Sequence, residues 1–170
     1  MAKVLVIRLS AIGDIAMTVP VIYSAAKANP EDSFTVLTQA FLMPLFMNRP
    51  PNVEVIGINT KGAEKGLIGL LKFISALLKF DFDVILDLHN VIRTIIICTF
   101  FRLNGKRVFV LDKARKERKR LTAIKGKRLY PLRPVIVRYA DVFRAAGLNY
   151  TETFTSLYEE SPAELSGMAS

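Results

Sequence analysis

Lys3-Val4-Leu5-Val6-Ile7-Arg8-Leu9, then Ser10-Ala11-Ile12-Gly13-Asp14, then an apolar helical pattern: this opening decides how the chain folds. A β-branched run that stops at a small-residue loop and restarts as a helix is the first βα unit of an open α/β sheet. Ligands in such sheets bind outside the carboxyl ends of the strands, where this loop lies. Asp14 then stands at a helix N-terminus, beside free backbone N–H groups. Two readings of it are open. It is an N-cap that serves the backbone alone, or a carboxylate aimed into a cleft, the right group for taking a proton from a hydroxyl.

The same alternation continues along the chain. Strands are expected at about residues 3–9, 33–38, 53–58, 83–88 and 107–111, and helices at about 15–28, 39–47, 64–80, 90–103, 113–124 and 134–146. The β-α-β-α order predicts an α/β fold, a Rossmann-like open and mostly parallel sheet with helices on both faces. Gly147 is placed to end the last helix, and Pro20 sits early enough in the first to be tolerated.

Composition narrows the class. A chain of 170 residues with 51% hydrophobic content can bury one sizeable core. The single cysteine, Cys98, lies in an apolar run and reads as a buried, inert thiol. One cysteine and one histidine leave no Cys-rich metal site, and the expectation is a reducing cytoplasm with no structural metal. Arg8 and Asp14 interrupt what would have to be the core of a secretion signal, so none is expected. Residues 66–80 form the longest apolar stretch, but it carries Lys72 and Lys79 and is too short to span a bilayer.

The formal charge of +9 is local. Fourteen of the 24 Lys and Arg residues lie within residues 102–138, opposed there only by Asp112 and Glu117. Such a patch implies an anionic partner: nucleic acid, a phosphorylated substrate or an acidic membrane surface. Its densest part, residues 113–121, follows a strand and so begins at the carboxyl edge, where Lys113, Arg115 and Lys116 can hold phosphates or carboxylates. The run has no interleaved aromatics, which argues against nucleic acid.

Two further groups bear on chemistry. Asp87-Leu88-His89-Asn90-Val91-Ile92-Arg93-Thr94 is a strand-to-helix handover that would gather His89, Asn90 and Arg93 at the same edge as Asp14. Asn90 could instead cap the next helix. Asp81-Phe82-Asp83 matches an Asp-x-Asp metal pattern, but it precedes its strand and reads as turn chemistry on the opposite edge.

Val6-Ile7-Arg8-Leu9-Ser10-Ala11-Ile12-Gly13-Asp14 with Thr18-Val19-Pro20 resembles the opening of the bacterial heptosyltransferases, glycosyltransferase family 9. Asp83-Val84-Ile85-Leu86-Asp87-Leu88-His89 with Arg93-Thr94 is similar to a second landmark of that family, and Val137-Arg138-Tyr139 to a third. The resemblance covers about residues 3–150. It implies the N-terminal, acceptor-side half of a GT-B enzyme. Such enzymes move heptose from ADP-heptose to a lipopolysaccharide core precursor of the Kdo and lipid A type, inverting the anomeric centre without a metal.

The resemblance carries the role of general base onto Asp14. The residues then expected around the acceptor are Arg8, Ser10, Gly13, His89, Asn90, Arg93, Lys113, Arg115 and Lys116. No cofactor is expected beyond the nucleotide-sugar donor, and the setting implied is the cytoplasmic face of the inner membrane, on an anionic surface. Residues 1–155 are expected to form the domain and 156–170 a linker or frayed tail. The donor-binding half is expected to be absent and the fragment alone inactive. A binding module for anionic glycolipid is the competing reading.

Overall fold

Val4, Leu5, Val6 and Ile7 are all wholly buried, which an isolated strand with one wet face could not achieve. The structure, a computed structural model describing residues 1–62, 64–115 and 133–157, supplies the reason. Strand β1 (Lys3–Ile7) lies at the centre of a five-stranded sheet, with helices against both faces. It is followed by α1 (Ile12–Ala28), β2 (Ser33–Gln39), a 3-10 segment (Ala40–Phe46) and β3 (Val53–Ile58). Then come α2 (Gly66–Leu78), β4 (Val84–Asp87), α3 (Ile92–Leu103), β5 (Arg107–Val110) and α4 (Val135–Ala145).

The sheet order is β3-β2-β1-β4-β5, with every pairing parallel. The chain therefore builds outward from β1 in one direction, returns, and builds outward in the other from β4. The gap between the carboxyl ends of β1 and β4 is the switch point of the topology, where a crevice opens in folds of this kind.

Alternation along each strand sends side chains into two cores. Val4, Val6, Val84 and Leu86 meet α1 and α4, including Ile22, Tyr139 and Phe143. Leu5, Ile7 and Ile85 meet α2 and α3 through Leu70, Ile74, Ile97 and Phe101. Cys98 is buried in the second core, where burial first and the nearby Asp87 carboxylate second push its thiol up to about 12.

The expected strands all form, within one or two residues of their predicted ends. The helix expected at 39–47 is instead the 3-10 segment, with Pro44 inside it. Proline removes an i→i−4 donor there. The segment also lies directly on β3 at Gly57, where an added Cβ would come within 2.8 Å of the Ala40 Cα. Helix α1 runs unbroken through Pro20, and Gly147 (φ 84°) follows α4 as its left-handed terminator. The helix expected at 113–124 lies outside the described residues beyond position 115.

The last described stretch is tied down. The Thr153 and Phe154 N–H groups donate to Ser24 Oγ, and Asn48 donates to the Leu157 carbonyl. Tyr150, Phe154 and Leu157 pack on the α1–α4 core, so docking extends two residues into the expected tail. Residues 158–170 of that tail lie outside the described residues.

Phe143, wholly buried and tilted against Phe34 at 6.5 Å, joins α4 to β2. Phe143→Ala is expected to lower the unfolding free energy by about 3–5 kcal/mol in urea titration.

Candidate functional site

Beyond β1 the backbone leaves the sheet, yet the next side chain, Arg8, remains buried at 6% exposure. A guanidinium that far from water needs partners on every side. Nη1 donates to the Leu88 carbonyl at 2.5 Å, at the end of β4. Nη2 pairs with Asp14 Oδ2 in the first turn of α1. The Arg8 Cζ also sits 5.8 Å from the centre of the Tyr139 ring on α4. One side chain thus joins two strand ends and two helices.

The two readings of Asp14 separate here. The N-cap of α1 is Ala11, whose extended backbone opens the helix without any side-chain cap, and the Ser10–Ala11 peptide is cis. Asp14 lies three residues further, held by Arg8, with 41% of its side chain exposed. The carboxylate serves the cleft rather than the helix amides.

His89 reaches the same place through a different device. Asp87 is wholly buried, and its Oδ1 accepts the backbone N–H groups of His89 (2.9 Å) and Asn90 (2.8 Å). Its Oδ2 accepts the Thr94 hydroxyl at 2.8 Å. These bonds fold the chain sharply at Asn90, which adopts φ 51°, and deliver the His89 ring to within 3.2 Å of Ser10 Oγ. Burial first, then the cations of Arg8 and Lys113, push His89 down to about 4, against a smaller opposing effect of Asp14.

Arg8, Ser10, Asp14, His89 and Lys113 line one cleft of about 360 Å³ at the switch point. Arg138 and Tyr139 of α4 complete its wall. Three cations face one carboxylate, so the cleft suits an anionic or polyhydroxylated ligand. Burial and the neighbouring Arg115 and Arg8 lower Lys113 from the usual lysine range, and burial raises the Tyr139 phenol. Arg8 Nε, His89 Nδ1 and the Tyr139 hydroxyl are buried without a partner among the described residues. A second hollow, about 250 Å³ between β5 and α4, is a weaker candidate because its Asp141 is already paired with Arg133 and Arg144.

The other expected site residues fall elsewhere. The Asn90 amide is used on the Leu111 carbonyl at 2.9 Å, bracing β5, and Val91 rather than Asn90 caps α3. Arg93 turns away to the Glu64 carbonyl at 3.0 Å, because α3 begins at Ile92 and directs that side chain toward the segment before α2. Gly13 is exposed in the first turn of α1, and a Cβ there would meet nothing within 4 Å. Arg115 is exposed and does not line the cleft, and Lys116 lies outside the described residues. Asp81 pairs with Lys106 at 2.6 Å and Asp83 accepts the Lys3 N–H at 2.8 Å, both at the amino edge.

Arg138 and Tyr139 are the polar lining residues absent from the expected site, and Ala11, Leu111 and Val135 are the apolar ones. The signal for the polar pair was present in the third family-like landmark and in the charge count, but neither said that α4 returns across the end of β1.

The chain resembles solved glycosyltransferases. It matches the family 9 glycosyltransferase from Veillonella parvula with a TM-score of 0.62 at 21% identity, over 87% of this chain and 42% of that one. The E. coli heptosyltransferase WaaC with ADP gives 0.58 at 20% identity, over 90% and 49%. The E. coli ADP-heptose lps heptosyltransferase II gives 0.53 at 21%, over 82% and 39%. No family model and no curated protein matches the chain. These likenesses show the expected fold, a Rossmann-like open parallel sheet of the kind those GT-B structures contain, and the chain spans less than half the length of each of the three.

The low His89 value has a consequence for stability. An unfolded imidazole takes its proton near pH 6.5, whereas the folded one resists until about pH 4. The unfolded state therefore binds the proton first as pH falls, and stability that is full above about 6.5 is lost toward 4. Urea unfolding at about pH 7 and about pH 4.5 is expected to differ by roughly 1–3 kcal/mol more in the wild type than in His89→Gln.

Proposed function

We propose that this chain is the acceptor-side half of an inverting glycosyltransferase. The reaction is transfer of heptose from ADP-heptose to a lipopolysaccharide core acceptor, without a metal ion, at the cytoplasmic face of the inner membrane. One observation carries the reading. At the switch point a carboxylate is held by a buried guanidinium and left open to a cleft rich in cations. The fold likeness to two E. coli heptosyltransferases, one solved with ADP, supports the same view. So does the Val6–Asp14 motif.

In this reading Asp14 takes the proton from an acceptor hydroxyl as that oxygen attacks the anomeric carbon. The new glycosidic bond forms on the face opposite the departing nucleotide. The bond from the anomeric carbon to the diphosphate oxygen breaks, ADP leaves with that electron pair, and the configuration inverts. Arg8 holds one carboxylate oxygen so that the other can face the incoming hydroxyl. Lys113 and Arg138 face phosphate or carboxylate groups of the acceptor. The Ser10 hydroxyl, held beside the His89 ring, offers a hydrogen bond to a sugar oxygen. A positioned base of this kind contributes about 10²–10⁴ in rate.

A module that only binds anionic glycolipid remains the second reading, favoured by the excess of cations in the cleft.

In a protein that carries this chain with a nucleotide-sugar-binding half, Asp14→Asn is expected to cut turnover by at least ~10² with acceptor affinity retained. Asn keeps an oxygen for Arg8, so the melting temperature is a direct control. Turnover close to wild type would remove Asp14 from the chemistry and leave the binding-module reading. Gly13→Ala is expected to leave stability unchanged or raise it by up to ~1 kcal/mol. A thermal melt beside the wild type checks it, and acceptor affinity is expected to be unchanged because Gly13 does not line the cleft.

A further inference from the structure

Residues 66–80, the longest apolar stretch of the chain, take no part in the cleft. They form α2, which together with α3 makes up one whole layer of the molecule. The inner sides of the two helices close the second core through Leu70, Ile74 and Leu77, and through Ile97, Cys98 and Phe101. Their outer sides are also apolar. Leu67 is 59% exposed and Ile68 74% on α2, and Ile92 is 79% exposed and Ile95 46% on α3.

Scattered surface hydrophobics need no explanation, but these recur on two neighbouring helices. The charge among them is of one sign. Lys65, Lys72 and Lys79 recur every seven residues along α2 and are all exposed, as is Arg102 on α3. No Asp or Glu occurs in residues 65–80 or 88–111. The opposite layer, by contrast, carries Asp141 on α4 and Glu152 beyond it.

A second copy of the chain would bring like charges together, which disfavours association. The described C-terminal stretch runs over α1 and α4, on the other side of the sheet. A surface that is itself anionic outside and apolar beneath matches both properties at once.

We propose that the α2–α3 layer is a docking face for an anionic phospholipid bilayer. Leu67, Ile68, Ile92 and Ile95 enter the headgroup region, while Lys65, Lys72, Lys79 and Arg102 meet lipid phosphates. The four apolar side chains lie in the first turns of their helices, at the carboxyl edge of the sheet, so docking brings the cleft's own edge to the lipid surface. No helix among the described residues is long and apolar enough to cross a membrane, and none needs to. The inference does not rest on the transfer chemistry.

The test is co-sedimentation of the chain with vesicles of phosphatidylglycerol and phosphatidylcholine, against pure phosphatidylcholine. The wild type is expected to partition at least ~tenfold more strongly to the anionic vesicles. Ile68→Asp with Ile95→Asp should lower that partition at least ~tenfold, and so should the separate set Lys65→Gln, Lys72→Gln and Lys79→Gln. All five positions are exposed, so thermal melting should be unchanged. Absence of wild-type binding, or binding retained in both variants, would overturn the proposal; the latter would shift the lipid contact to the basic run within residues 102–138. Loss of self-association in Ile68→Asp with Ile95→Asp, with vesicle binding intact, would overturn it in favour of a contact between copies. None of these outcomes touches the Asp14 reading, which is read from turnover on a water-soluble acceptor fragment.

Discussion

A guanidinium buried just past the carboxyl end of the central strand must be neutralised and hydrogen-bonded, and that requirement organises the working edge of this protein. Arg8 is the residue concerned. Leaving such a charge without partners is costly, so the Leu88 carbonyl, the Asp14 carboxylate and the Tyr139 ring are bound into one arrangement around it. The consequence for chemistry is direct. A carboxylate drawn toward Arg8 is not available to cap α1, and it stays presented to the cleft instead.

The second anchor is Asp87, which works on backbone and hydroxyl groups. By accepting two successive N–H groups and the Thr94 hydroxyl, it turns the chain within the space between β4 and α3. The turn sets the His89 ring beside Ser10 while keeping Asp87 itself sealed from water. The two strand ends that flank the topological switch therefore carry complementary fittings: one supplies a cation and a carboxylate, the other a neutral imidazole.

The sheet divides the molecule into two layers of different character. On one side α1 and α4 bring the cleft its carboxylate, its tyrosine and Arg138. On the other, α2 and α3 carry apolar side chains outward with only basic charge among them. The carboxyl edge of the sheet is shared by the two.

Much of the fold was legible before any coordinates. Apolar runs such as Val4–Ile7 read as strands because parallel strands covered on both faces lose the polar half of their alternation. The segment at 39–47 misled because its apolar periodicity is helical, whereas Pro44 and the close approach at Gly57 impose a 3-10 turn. In the site, Arg8, Ser10, Asp14 and His89 were legible because each lies in the loop or first helical turn after a strand end. Asn90 and Arg93 follow one too, yet Asn90 braces Leu111 and Arg93 turns toward Glu64.

By itself the sequence determined the order of strands and helices, the edge on which the polar loops gather, and the carboxylate at the first turn of α1, since all of these follow from local periodicity and turn chemistry. Only the tertiary structure decided which polar groups share a cavity. That Tyr139 and Arg138 close over Arg8, and that Arg93 does not, depends on how α4 and α3 are rotated as their apolar faces pack on the sheet, and packing is a property of elements distant in the chain.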